Sequence, residues 1–265
     1  MGAALAEAFH EAGLRVYATA RDVSKMTALK RAGIETIALD IQSADSIASC
    51  VTKLPKLDIL VNNAGASYSM PISDMSMDEA KHLFDVNVWA QLAVIQAFLP
   101  LLIESKGMVV NQTSVVAVSA VPFQSAYNAS KAAMAMFSDC LRLELGPFDV
   151  KVIELKTGAV TSNMIKNQKA QTTISLPQGS IYAPAREAVE SAMRNDKMAN
   201  VGTPPKQWAS EVVGDLLRNN PPLVIWRGAN AKLGRIGTMM PHGMLDSTIK
   251  KMTGLDVVEQ KLRQS

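Results

Sequence analysis

The sequence predicts an α/β protein built on a doubly wound parallel sheet. Three observations carry this. Short apolar β-like runs alternate with helix-length amphipathic segments as far as about residue 158. Glycine and proline punctuate the boundaries, at Gly13, Gly33, Pro55 and Gly146-Pro147. The size and composition (265 residues, 48% hydrophobic, 19% charged) suit one large globular domain, residues 1–265.

Residues Gly2–Ala12 place Ala3, Ala4, Leu5, Ala8, Phe9 and Ala12 on one face of a helix, which Gly13 ends. Leu14–Ala20 reads as a strand, Asp22–Ala32 as a helix, and Ile34–Leu39 as a strand ending at Asp40. Ser43–Leu54 is a helix stopped by Pro55, and Leu57–Val61 a strand running into Asn62-Asn63-Ala64-Gly65. Met77–Leu102 is a long apolar helix, expected to bend near Pro100. Met108–Thr113 is a strand, Ala126–Leu145 a helix and Val150–Leu155 a strand. Beyond Gly158 the pattern loosens. Residues 161–205, polar and proline-rich, are expected to form a substrate lid, the plain alternative being a surface excursion. A helix, Lys206–Arg218, and a last strand, Leu223–Trp226, follow. The tail from Lys232 is weakly amphipathic. Core packing is its default, with pocket capping, a partner or peripheral contact with a membrane left open.

Charge and composition exclude several classes. The net charge is +3 with no basic block, so nucleic acid is not expected as a partner. His10, His82 and His242 lack metal-ligand spacing, so no metal is expected. Cys50 and Cys140 fall in separate helices and read as small core residues in a reducing, cytoplasmic compartment. No leader is visible and no apolar run reaches about 18 residues, so no membrane span is expected.

The chemistry concentrates between Ser114 and Lys131. Tyr127 and Lys131 are four apart, hence on one helix face. A phenol alone titrates near pH ~10. An ammonium group beside it favours the phenolate, which makes the pair a workable proton donor and acceptor. Ser114 closes the strand before them, where its hydroxyl can bind a carbonyl oxygen. A half-buried tyrosine beside a solvated lysine is the plain reading of the pair alone.

The turn Asn62-Asn63-Ala64-Gly65, with a serine thirteen residues before Tyr-x-x-x-Lys, resembles the short-chain dehydrogenase/reductase family. The resemblance covers the chain except its start. It implies a Rossmann-like fold and hydride transfer between a nicotinamide cofactor and a carbonyl substrate. Tyr127 would be the acid, Lys131 would depress its pKa and hold the ribose, and Ser114 would orient the substrate. Asn87, inside the long helix, would hold a water leading to Lys131. Asn63, Ala64 and Gly65 would line the cofactor, as would Asp40 and Ile41 at the adenine and Val160 and Ser162 at the carboxamide end. Arg21, after the second family strand, implies NADP rather than NAD, tempered by the adjacent Asp22. Thr157, where relatives often carry proline, is similar to a subgroup of acyl-dihydroxyacetone-phosphate reductases and fungal secondary-metabolism reductases. A homodimer through the two apolar helices is expected on the same ground.

The resemblance also implies something absent. The family's first strand and glycine-rich loop have no counterpart, with Gly2 matching the loop's third glycine. The strands Leu14–Ala20 and Leu57–Val61 are then expected to lack their shared neighbour. Three readings stay open: an incomplete form of an active reductase, a short form acting as a dinucleotide-sensing or interaction protein, and an inactive remnant.

Overall fold

A computed structural model describes residues 1–161, 174–198 and 201–264. The first helix, α1 (Gly2–Glu11), leads through Gly13 (φ 83°) into β1 (Tyr17–Ala20). Next come a 3-10 turn at Val23–Met26, α2 (Thr27–Arg31), β2 (Glu35–Ala38), α3 (Ala44–Val51) and β3 (Ile59–Asn62). Ser43 caps α3, its side chain accepting from Ser46 N, which is why the helix starts there. The long helix comes as α4 (Met77–Phe84), a π turn at Asp85–Trp89, and α5 (Ala90–Ser105). Then follow β4 (Met108–Ser114), α6 (Ser125–Leu145) and β5 (Lys151–Thr157). The remaining elements are α7 (Arg186–Met193), α8 (Pro205–Leu216), β6 (Val224–Arg227), α9 (Ala231–Gly237), α10 (Asp246–Thr253) and α11 (Leu255–Gln264).

The strands form two parallel sheets, β1-β2 and β3-β4-β5-β6. The second is covered on both faces, as its buried strands demand. Met108, Val110, Ile153, Leu155 and Ile225 pack against Leu5 and Phe9 of α1 and Trp208 and Val212 of α8. Val109 and Val152 face Val94, Phe98 and Leu102 of α5 and Ile47 of α3. The register sets Asn62 beside Asn111 and Ser114 beside Thr157, bringing the ends of β3, β4 and β5 level. The smaller sheet packs through Ala18 with Met26, Leu29, Ile34 and Ala6.

Several expectations are corrected. β1 begins at Tyr17 rather than Leu14, because pairing with β2 starts there. The helix through residues 77–105 is not α throughout, as a π turn interrupts it at Asp85–Trp89, and Pro100 lies inside α5. Cys140 is exposed on α6; only Cys50 is a core residue. The helical stretch Met77–Ser105 has the length and hydropathy of a membrane span, which the reading of apolar runs did not anticipate. Its buried Val94, Ile95, Phe98 and Leu102 pack in the core, and its buried Asn87 and Gln91 bond the turn after β3.

Candidate active site

The site lies at the carboxyl ends of β3 and β4, where α6 begins. Ser114 ends β4, and its Oγ accepts a hydrogen bond from Val116 N at 3.3 Å, shaping a 3-10 turn at Val115–Ala117. The chain returns through Phe123, held at φ 63°, directly before α6. That places Tyr127 in the first turn of α6 and Lys131 one turn on. Tyr127 is half-buried and hydrogen-bonded to the Ser114 side chain. Lys131 is 5% exposed; its Nζ donates to Gln112 O at 3.1 Å and stands 5.9 Å from the centre of the Tyr127 ring.

Desolvation pushes the Tyr127 phenol above its ordinary pKa, and the Ser114 bond pulls it partly back. Burial lowers Lys131 to about 8. The sequence reading assigned the lowering of the phenol to Lys131. Here the Ser114 bond supplies the downward pull, against a larger upward push from desolvation.

Asn87, fully buried in the π turn, is bonded on all sides. Its Oδ1 accepts from Ala66 N (2.8 Å), and its Nδ2 donates to Ala66 O (3.0 Å) and Ser130 Oγ (3.0 Å). A π turn widens the backbone locally and often marks a functional position. Gln91, one turn further, donates to Ala64 O at 2.7 Å. Together they hold the turn Asn63–Ala66, whose Ala64 and Gly65 remain exposed. A Cβ on Gly65 would stand 3.2 Å from Asn87 Oδ1 and 3.5 Å from Lys131 Nζ, so the turn passes close over the lysine. Under α6 runs a polar seam that the sequence reading missed. Asn62 Nδ2 donates to Asn111 Oδ1, Asn111 Nδ2 to Ser138 Oγ, and Ser138 Oγ to Met134 O. Beside it, Glu154 pairs with Lys156 and accepts from Thr113 Oγ1, with Lys156 over the Trp226 ring. Buried polar positions in strands otherwise apolar, such as Asn111 and Thr113, were the available signal.

The other expected cofactor residues take distinct places. Gly2 starts α1 against Asn63; an added Cβ would meet Asn63 Nδ2 at 2.8 Å. Arg21 is exposed at the end of β1. Asp22, the competing acid, has its Oδ1 taken by Ser24 N and Oγ, which hold its carboxyl below the usual range. Asp40 and Ile41 follow β2; Asp40 Oδ1 accepts from Gln42 N. Val160 bridges Thr203, with Thr203 N on Ala159 O and Thr161 N on Thr203 O, turning its own N–H and C=O to the other side. Ser162 lies outside the described residues, as do parts of the expected lid at 161–205.

The described part of that segment packs over the start of α6. Phe123 meets Tyr182 edge-on (centroids 5.6 Å) and joins Leu176, Val189, Met193 and Val258 of α11 in one apolar cluster. Gln124 Nε2 donates to Asn195 Oδ1, and Ser180 Oγ to Asp74 Oδ2.

The exposed Gly65 turn, the unpartnered buried Asn63 Oδ1, and the Tyr127–Lys131 face form a cradle that fits the ribose and nicotinamide of a dinucleotide. At the phosphates, the described chain offers only the N-terminal turn of α1.

A family model described as short chain dehydrogenase matches residues 1–173. A short-chain dehydrogenase/reductase of Pestalotiopsis microspora is 72% identical over 263 residues, covering 99% of this chain and 93% of the relative. An NADPH-dependent 1-acyldihydroxyacetone phosphate reductase of Schizosaccharomyces pombe is 34% identical, covering 96% and 90%. In structure, a short-chain dehydrogenase from Streptomyces avermitilis matches with TM-score 0.73 and 25% identity over 97% of this chain and 92% of its own. One from Burkholderia cenocepacia, in complex with NADP, shares the fold (TM-score 0.70, 24% identity, 94% and 92% covered).

Proposed function

Since the chain belongs to the short-chain dehydrogenase/reductase family, we propose that it reduces a ketone or aldehyde to an alcohol with NADPH. The observation that carries this is the convergence of Ser114, Tyr127 and buried Lys131 at the end of β4. When bound, the cofactor supplies a hydride to the carbonyl carbon. Ser114 Oγ holds the carbonyl oxygen, and Tyr127 Oη gives that oxygen its proton. Lys131 keeps positive charge beneath the phenol as it deprotonates and binds the ribose. Asn87 sets the turn over Lys131 and, with the π turn, holds the water that returns the proton. Val160 offers main-chain groups to the carboxamide, with Ser162 beyond it, and Asp40 and Ile41 bound the adenine. Arg21 selects the 2′-phosphate, a role supported by the commitment of Asp22 to Ser24.

The substrate is a lipid-like or secondary-metabolite carbonyl. Support comes from the apolar cluster of Phe123, Leu176, Met193 and Val258 in the lid region and from the acyldihydroxyacetone phosphate named for the S. pombe relative. The exposed Trp89, Met136 and Leu143 on or beside α5 and α6 support a homodimer. The setting is cytoplasmic, with lipid contact through exposed Met239 and Met244. The test is NADPH consumption against a panel of acyl and polyketide-like ketones, beside NADH. No turnover with any carbonyl, with turnover of alcohols and NADP, would reverse the direction. A second reading, a non-catalytic dinucleotide-binding or interaction protein, is favoured by the split sheet. Absence of NADPH binding in a fluorescence titration would support it.

A further inference from the structure

α9 inverts the usual pattern of an amphipathic helix, in which the large apolar side chains face the core. Its inward positions are small. Ala231 is buried, and a Cβ on Gly234 would stand 3.4 Å from Val115 and 3.5 Å from Trp226 of β6. Small residues let the helix lie close against the turn after Ser114, and the large side chains point outward. Leu233 and Ile236, three apart on α9, are both exposed. The chain then continues in hydrogen-bonded turns, with Met239 N on Ile236 O, Met240 N on Gly237 O and Met244 N on Pro241 O. These turns present Met239, 77% exposed, and Met244, 62% exposed.

The same segment carries positive charge. Residues 231–254 hold four basic residues, Lys232, Arg235, Lys250 and Lys251, against one acidic residue, Asp246, a net charge of +3. The whole chain has that same net charge, so the rest of the molecule is balanced. Lys250 is paired with Glu259. Among the described residues Lys232 and Arg235 have no ion pair, and they alternate with Leu233 and Ile236 along α9. Exposed apolar side chains interleaved with unpaired cations complement a surface that sets anions above an apolar layer. Methionine, unbranched and polarisable, suits a fluid partner better than a rigid one.

We infer that the outer face of α9, with the turns through Met244, docks on an anionic phospholipid surface. Ile236, Met239 and Met244 enter the acyl boundary, and Lys232 and Arg235 meet the charged headgroups. Because α9 rests on Val115, directly after Ser114, docking sets the reacting position one helix diameter, about 10 Å, from the lipid. A lipid-like carbonyl then reaches Ser114 from the bilayer rather than from water. That last step rests on the proposed reductase function; the docking itself does not.

The test sediments the full chain with vesicles of phosphatidylcholine alone and with vesicles containing about 30% phosphatidylserine. Binding to the mixed vesicles is expected to be tighter by about tenfold or more, and to weaken as salt is added. Lys232→Gln with Arg235→Gln should lose about fivefold per cation on the mixed vesicles. Met239→Ser with Met244→Ser should weaken binding by about tenfold or more. Phe148, exposed just before β5 and so at the end of the sheet away from Ser114, supplies the control: Phe148→Ser should bind as the parent does. Tm values within about 2 °C of the parent show that the variants fold. No binding to the mixed vesicles, equal binding to both kinds, or unchanged binding in both double variants would overturn the assignment. A smaller oligomer in Met239→Ser with Met244→Ser, with vesicle binding unchanged, would give the face to a second copy of the chain, which overturns it too. Sedimentation needs no substrate, so failure of the docking site and failure of the reductase reading give different results.

Discussion

Asn87 holds Ala66 by both of its main-chain groups, accepting from its N–H at 2.8 Å and donating to its carbonyl at 3.0 Å. One buried amide thus does for the turn after β3 what a neighbouring strand does elsewhere. Its Nδ2 also reaches Ser130 in α6, one residue from Lys131, so the turn and the catalytic helix share a pivot. Asn87→Ala removes the partner of both part-buried main-chain groups of Ala66 and one of the two bonds of buried Ser130 Oγ. The expected loss is about 2–4 kcal/mol in urea unfolding. A loss below half a unit on that scale would mean that the turn holds itself.

Tyr127→Phe removes the proposed acid and keeps the ring packing. It should lower kcat by about 10²–10⁴-fold while KM for NADPH stays within about twofold. Ser114→Ala should lower kcat by a smaller factor and raise the Tyr127 pKa, since its hydroxyl is what draws that pKa down. A kinetic profile displaced to higher pH in Ser114→Ala checks the coupling. An unmoved profile contradicts it.

Lys131 gives stability a pH dependence whose sign follows from its burial. Its folded pKa is about 8, below the ordinary 10.5, so between these values the unfolded chain binds more protons. Stability from this group is therefore lowest below pH about 8 and rises as pH climbs toward about 10.5, by on the order of 3 kcal/mol. Lys131→Met should flatten that rise. Urea midpoints from pH 7 to pH 10, for both proteins, measure it.

Gly158 sits where no side chain fits. A Cβ there would come 2.1 Å from Ala229 O and 3.0 Å from Ala231 N. Gly158→Ala must push β5 and the segment after β6 apart, and a cost of about 2 kcal/mol or more is expected in thermal unfolding. Because Val160 follows two residues later, weaker cofactor binding should accompany it. Gly146→Ala, where an added Cβ meets nothing within 4 Å, is the control.

Arg21→Ala tests cofactor choice. It should weaken NADPH binding about tenfold or more and leave NADH nearly unchanged. Fluorescence titration with both nucleotides reads this directly. Equal loss for both would give Arg21 a general electrostatic role.

The parallel α/β alternation and the place of nearly every element were legible in the sequence. Strand and helix differ in hydrophobic period, and glycine and proline mark where each stops. The Ser114, Tyr127 and Lys131 set was legible because the spacing of Tyr127 and Lys131 puts them on one helix face and Ser114 ends a strand. What escaped depends on partners distant in sequence. Gln91 and Ser130 look like ordinary helix polar residues until the turn at Ala64–Ala66 is laid against them. Cys140 reads as a core residue by composition, yet the rotation of α6 leaves it exposed.

By itself, the sequence determined the period of each segment, the residue types at the strand ends and the Tyr127–Lys131 spacing, all properties of neighbours along one chain. Tertiary structure alone decided that desolvation raises the Tyr127 phenol and that the Ser114 side chain, at the end of β4, pulls it partly back. It also decided that the strands form two sheets, β1-β2 and β3-β4-β5-β6. Hydrogen bonding and desolvation act through space, and no local pattern encodes which distant group arrives within about 3 Å.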